Sequence, residues 1–294
     1  MRPRVSPYLL LMLANLFWAG NWIVGRGIRG QVPPFALSFW RWAIALVVIA
    51  PLAWPHLRRD WPRLAASWRW LALFGFLGTA IYNALAYIGL QYTTATNGLL
   101  LNSFIPIAIV SLGWAFLGKR LRRIDIIGIG ISLCGVLTIV ARGDPSALAG
   151  LHLNTGDIWI LISVFAWATY TLMLPHRPKV HPLTFLAAIA AFGLIEVLPA
   201  YAWEMADGRH ITVSLPGLTA IAYTGIFPAF LGFIFWNRGV AEVGPARAGL
   251  FMHLMPAFGI LLSIIFLGER PLAYHFVGIS LIFCGIWLNT RRTP

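Results

Sequence analysis

The chain has 294 residues, of which 59% are hydrophobic and only 11% charged, against roughly 25% charged in a soluble domain. Ten spanning helices of about 20 residues each use about seven-tenths of that length, which excludes a second, aqueous domain and leaves a protein that is nearly all membrane. The net charge of +13 comes from 22 Lys plus Arg against 9 Asp plus Glu; it does not indicate nucleic acid, because the basic residues fall singly or in short clusters between apolar runs and no groove-reading motif is present.

Apolar runs bounded by proline, glycine and charge predict spans over 8–27, 34–54, 69–90, 95–117 and 124–141, then 156–174, 182–203, 216–237, 246–267 and 272–289. The first follows Arg2 and Arg4 in the manner of a signal peptide. It has full spanning length, however, and Trp18, Asn21 and Trp22 stand where small cleavage-site residues belong, so it reads as a retained helix. It also carries Asn15. The second contains Arg41, and the third Asn83 beside Tyr82 and Tyr87. In the fourth, Asn97, Asn102 and Ser103 precede Pro106; in the sixth stand Trp167 and Tyr170; the eighth ends on Trp236 and Asn237; and the ninth has His253 three residues before Pro256. The second and seventh hold the deep charges Arg41 and Glu196, read as a structural ion pair or as snorkelling side chains in preference to substrate contacts. Asp125 and Asp157 sit near helix starts, where the helix dipole accounts for them. Gly75, Gly78, Gly128, Gly130 and Gly135 read as packing positions. Cys134 and Cys284 each lie inside an apolar run, which argues against a disulfide framework.

The positive-inside rule orients the bundle. With the N-terminus cytoplasmic, that side holds sixteen Lys and Arg, including Arg58, Arg59, Arg63 and Arg69 and the cluster Lys119, Arg120, Arg122 and Arg123, while the other holds five: Arg26, Arg29, Arg142, Arg209 and Arg270. Both termini are therefore expected in the cytoplasm, in a bacterial inner membrane.

An offset of 150 residues aligns Leu117-Gly118-Lys119-Arg120 with Leu267-Gly268-Glu269-Arg270, Pro106 with Pro256, Gly128 with Gly278 and Cys134-Gly135 with Cys284-Gly285; an offset of 149 aligns Trp18-Ala19 with Trp167-Ala168. Constant offsets in several segments indicate duplication. The expected units are 1–145 and 146–294, five helices each. An odd number of helices inverts one copy relative to the other, the arrangement that lets two halves exchange conformations in alternating access. The fold expected is all-α: ten transmembrane helices in two inverted five-helix repeats.

No P-loop, Cys/His metal spacing, nucleophile elbow or dinucleotide fingerprint occurs, so no catalytic residue, metal or cofactor is expected. Polar residues inside the spans are the informative ones, since in hydrocarbon they need partners or a wet cavity. Trp18, Asn21, Tyr82, Asn83, Asn102, Trp167, Tyr170, Asn237 and His253 thus outline a neutral, aromatic, amide-lined substrate cavity. Pro106 and Pro256 free the carbonyls four residues back, those of Asn102 and Met252, and serve as helix kinks for gating. His253 has two readings of equal weight, a substrate contact or a bond to a neighbouring carbonyl.

The segment 83–121, NALAYIGLQYTTATNGLLLNSFIPIAIVSLGWAFLGKRL, and its partner 237–271, NRGVAEVGPARAGLFMHLMPAFGILLSIIFLGERP, resemble the two EamA modules of the drug/metabolite transporter superfamily. Trp18-Ala19-Gly20-Asn21-Trp22 resembles that family's first-helix pattern, and the likeness covers essentially the whole chain. It implies a ten-helix exporter with a cavity lined by helices 1, 3, 4, 6, 8 and 9. Within the superfamily the chain is most similar to the YddG-type exporters, which implies export of aromatic and other neutral amino acids. The alternative is proton-coupled efflux of drugs or other small metabolites; it lacks the membrane-embedded acid that the family's small multidrug members carry in the first helix. Expected partners are a small-molecule substrate and the lipid bilayer, with no nucleic acid, and the chain is expected as a monomer or weak dimer.

Overall fold

The computed structural model describes residues 5–118, 122–144, 146, 154–267 and 272–290. Among these, ten helices are long and apolar enough to cross a membrane, and no strand occurs, as lipid requires of a chain that must satisfy its own backbone. They are α1 (Pro7–Gly27), α2 (Pro34–Ala66), α3 (Trp68–Tyr92), α4 (Ala95–Asn102 and Ile105–Leu117), α5 (Arg123–Val140), α6 (Thr155–His176), α7 (Pro182–Ala206), α8 (Leu215–Val243), α9 (Pro245–Leu250, a 3-10 turn at Phe251–His253, then Leu254–Leu267) and α10 (Ala273–Thr290). The sequence-derived bounds of nine agree to within a few residues, apart from longer C-terminal ends in α7 and α8.

The exception is α2, expected to stop at residue 54 and in fact continuing to Ala66 through Pro51, Pro55 and Pro62. Proline breaks a helix where its freed carbonyls find no partner; this extension lies at the end of the bundle, where Trp54, Trp61, Trp68 and Trp70 are all more than half exposed beside Arg58, Arg59, Arg63 and Arg69, a composition suited to the membrane interface, where water serves those carbonyls. The extension is pinned by Asp60, whose carboxylate accepts the backbone N–H of His181 at 2.8 Å and Nε of Arg59 at 3.3 Å.

Irregularities recur at matching places. A π-helical segment interrupts α3 at Phe76–Ile81 and α8 at Gly225–Leu231, and breaks interrupt α4 after Asn102 and α9 at Phe251–His253. Pro106 and Pro256 therefore sit in the first turns of new helical pieces, where a missing N–H costs nothing, rather than as kinks in continuous helices.

A close seam joins α5 to α10. A Cβ on Gly128 would lie 2.8 Å from the carbonyl oxygen of Gly285, and one on Gly135 would lie 2.5 Å from that of Gly278; the reverse approaches are equally close. As the number rises along α5 it falls along α10, so the two helices run antiparallel with backbone touching backbone, the packing that small residues permit in lipid.

Candidate functional site

The nine side chains singled out in the sequence are at most 8% exposed, and six of them meet at the centre of the bundle. Trp167 of α6 is the hub. Its ring packs against Trp18 (5.0 Å between centroids), Tyr82 (4.8 Å), Tyr170 (5.0 Å), Phe233 (5.3 Å) and Trp236 (5.8 Å). Edge-to-face and tilted arrangements dominate, as the ring quadrupoles favour. The π-helical segment of α8 helps to build this box: the carbonyl of Pro228 within it accepts the indole N–H of Trp18 at 3.0 Å, and Gly232, lacking a Cβ, leaves room for that indole.

Amides line the box. Tyr82 donates its hydroxyl to Asn102 Oδ1 at 3.1 Å, Tyr170 to Asn237 Oδ1 at 2.8 Å, and Trp236 its indole N–H to Thr171 Oγ1 at 3.3 Å. The indole N–H of Trp167 is buried and meets no acceptor.

Beside the box, toward the end of the bundle away from the termini, Asn21 and Asn83 join a different group. Nη1 of Arg41 contacts Asn83 Oδ1 at 2.7 Å, the Tyr87 hydroxyl at 2.7 Å and Asn21 Oδ1 at 3.3 Å, and Tyr87 donates to Asn21 at 2.7 Å. The guanidinium lies over the rings of Trp42 and Tyr87, 5.6 and 5.9 Å from their centroids, a favourable cation–π geometry. The ion pair expected between Arg41 and Glu196 does not form: no carboxylate among the described residues lies within 4 Å of Arg41, and Glu196 Oε2 has no partner of its own. Nor does Arg41 snorkel, being 1% exposed. Sequence depth alone paired two charges whose helices are rotated so that they do not meet.

His253 stands apart from the box. Its Nδ1 is 2.7 Å from Ser132 Oγ and its Nε2 2.9 Å from the carbonyl of Ser103, so the ring ties the break in α9 to the break in α4 and to α5. Both ring nitrogens are thus occupied by protein. Asn97 belongs to a helix start, its backbone N–H capped by Thr94 at 3.1 Å, and Asn15 donates to the Leu11 carbonyl within its own helix. Trp42 and Phe233 join these groups without having been singled out in the sequence, and Arg41, read there as structural, stands at the centre of one of them. Phe233 carries no signal that separates it from other aromatics, whereas a solitary arginine within a span is itself a signal.

A cleft opens at each end of the bundle. At the end carrying the termini, a cleft of about 390 Å³ lies between α4, α5, α9 and α10, bordered by Arg122, Asp125, Arg247 and Asn289. At the opposite end, one of about 590 Å³ is bordered by Gln31, Gln91, Trp159, Glu204 and His210. Both have the capacity of small-molecule sites, and the closed aromatic box lies between them. Glu204 shapes the second cleft by capping α2, accepting the N–H of Ala36 at 2.8 Å and that of Phe35 at 3.3 Å.

The EamA-like transporter family model matches residues 5–141 and again 154–291. The chain is 26% identical over 293 residues to the uncharacterized transporter YetK of Bacillus subtilis, covering 99% of this chain and 88% of that protein. It is 24% identical over 287 residues to an uncharacterized transporter of Archaeoglobus fulgidus, covering 97% of each. A Streptantibioticus cattleyicolor protein named "Probable terminal-alkyne amino-acid exporter" is 28% identical over 297 residues, with 96% of this chain and 93% of that protein covered. A solved structure described only as "Crystal structure of protein" superposes with a TM-score of 0.76 over 98% of this chain and 97% of its own, at 19% identity, a likeness of fold alone.

Proposed function

The chain belongs to the EamA-like transporter family, and from that premise we propose that it exports small metabolites, aromatic and other neutral amino acids foremost, by alternating access through the centre of the bundle. The observation that carries this reading is the aromatic box around Trp167, lined by Asn102 and Asn237 and closed between two clefts at opposite ends. Such a compartment suits a flat apolar side chain with a few polar atoms. Its rings pack on one another, and none of them borders either cleft.

The repeats supply the motion in this reading. Matching π-helical segments in α3 and α8, matching breaks in α4 and α9, and the antiparallel α5–α10 seam support two inverted copies spanning 1–145 and 146–294, each able to adopt the other's conformation. The box is lined by Trp18, Tyr82, Trp167 and Tyr170, with Asn21, Asn83, Asn102 and Asn237 around it. Pro106 and Pro256 mark the joints, and His253 acts between them rather than on the substrate. With both termini in the cytoplasm of a bacterial inner membrane, the basic loops fall on the inner face. The name of the Streptantibioticus relative supports an amino-acid substrate.

The test is counterflow in proteoliposomes holding purified protein and internal phenylalanine, with and without an imposed pH gradient. Saturable exchange of labelled phenylalanine without a gradient is expected. Exchange that appears only with a gradient points instead to proton-coupled efflux, and no exchange of any neutral amino acid removes the amino-acid reading.

A further inference from the structure

The polar groups at the centre are out of balance in one direction. Arg41 is 1% exposed, and its hydrogen-bonding partners Asn21, Asn83 and Tyr87 are all neutral. A guanidinium stays protonated in proteins, so a full positive charge stands roughly 10 Å inside the helical bundle, seven residues from the start of α2, with no carboxylate of the described residues within 4 Å of it. A charge left unpaired away from water is among the costliest arrangements a protein adopts, and in a transmembrane segment it marks a functional position. The polar side-chain atoms left without partners in this region can all donate: Nε of Arg41, the indole N–H of the adjacent Trp42, the hydroxyl of Ser38 one turn before them and the indole N–H of Trp167. The missing group is therefore an acceptor, and a charged one.

We propose that Arg41 is the anchor for a carboxylate on the transported molecule, with Asn21, Asn83 and Tyr87 holding the guanidinium in place and the Trp42 indole beside it as a second donor. Nη1 already serves the protein's own acceptors, which leaves the Nε side for the substrate. Trp42 packs edge-on against Phe233 at 4.8 Å, and Phe233 against Trp167, so the anchor adjoins the aromatic box. A molecule with its carboxylate at Arg41 has its side chain among Trp18, Trp167 and Trp236. The substrate class is thus an aromatic or apolar carboxylic acid, with or without an α-amino group, and an amine lacking the carboxylate is excluded. The assignment deepens the amino-acid reading above and rests on the same central site.

Three probes separate the two ideas: phenylalanine, 3-phenylpropionate, which lacks the amino group, and phenethylamine, which lacks the carboxylate. Each is measured by thermal shift and by competition against labelled phenylalanine in proteoliposomes. For the wild type the two carboxylates bind and phenethylamine does not. Arg41→Gln raises the KM or apparent Kd for carboxylates at least tenfold. Asn21→Asp guards against a folding failure of that variant, because it places a carboxylate 3.3 Å from Arg41 in an isosteric side chain whose oxygen already accepts from Arg41 and Tyr87. It is expected to unfold at or above the wild-type temperature while losing carboxylate binding at least tenfold. Phenylalanine transport that survives in both variants within twofold, or phenethylamine binding as well as phenylalanine, overturns the anchor and leaves the amino-acid reading standing. Binding of 3-phenylpropionate that depends on Arg41, without transport of any amino acid, does the reverse. A wild type that binds neither carboxylate overturns both.

Discussion

Gly135→Ala tests whether the α5–α10 seam is held by backbone contact. The added Cβ lies 2.5 Å from the carbonyl oxygen of Gly278 and 2.9 Å from the backbone nitrogen of Ile282, atoms that cannot swing aside. A carbon beside a carbonyl oxygen in close helix packing sits at roughly 3.3–3.6 Å, so the helices must part by about 0.8 Å. A gap of about that size forfeits a quarter to a half of the dispersion well of each contact it opens. Overpacking of this kind costs about 1–3 kcal/mol, and the better helix propensity of alanine returns up to about 1 kcal/mol. The expected net loss is on the order of 1–2 kcal/mol, read as a fall of several degrees in the unfolding temperature of detergent-purified protein. Gly130→Ala, in the same helix, is the internal control: nothing lies within 4 Å of its added Cβ, so its unfolding temperature should hold or rise slightly. Gly128→Ala combined with Gly135→Ala should cost less than the sum of the two, since one parting of the helices relieves both. Equal unfolding temperatures for Gly130→Ala and Gly135→Ala would falsify the seam argument.

His253→Ala should lower thermal stability while leaving the KM for substrate within about twofold, because both ring nitrogens are engaged by Ser132 and Ser103; Ser132→Ala, which strips one of those partners, should cost about 1–3 kcal/mol in the same melting assay, and a KM raised tenfold by His253→Ala would return the imidazole to the substrate site. Trp167→Ala empties the hub of the aromatic box and should weaken aromatic amino-acid exchange in counterflow at least tenfold, more than it weakens exchange of alanine, since the lost contacts are ring contacts; an equal loss for both substrates would place the side chain of the substrate elsewhere. Outside the spans, burial and the ring of His56 stacked at 3.7 Å hold the His181 imidazole below the ordinary histidine range, against the opposing pull of Asp60. The neutral ring also accepts the Leu183 N–H, so its stabilising contribution is complete above about pH 6.5 and is lost as the pH falls through the lowered folded value. Unfolding temperatures measured from neutral to acidic pH should show that loss, and His181→Asn, which keeps an acceptor and removes the titration, should flatten it.

Much of the fold is legible in the chain because lipid leaves so few solutions. A run of about 20 apolar residues in hydrocarbon must be a helix, and ten such runs appear where the apolar stretches begin and end. The α2 extension was not legible, since prolines and arginines stop a helix in hydrocarbon and are tolerated in water, and only the fold shows which side of that boundary residues 55–66 occupy. Within the candidate site, Trp18, Tyr82, Trp167 and Tyr170 stood out as aromatic or polar residues inside spans, and they do meet. Asn21 and Asn83 stood out for the same reason and turned out to serve Arg41.

Hydropathy and charge, which depend on position along one helix, settle the number of spans, their approximate depth and the depth of each buried polar group. The rotation of each helix about its own axis depends on how all ten pack, and no residue spacing within one helix reports it. That rotation turns Arg41 toward Asn21, Asn83 and Tyr87 and away from Glu196, gathers five aromatic side chains from four helices around Trp167, and directs both nitrogens of His253 to protein partners. Depth is a property of a segment, and a partner is a property of the assembled bundle.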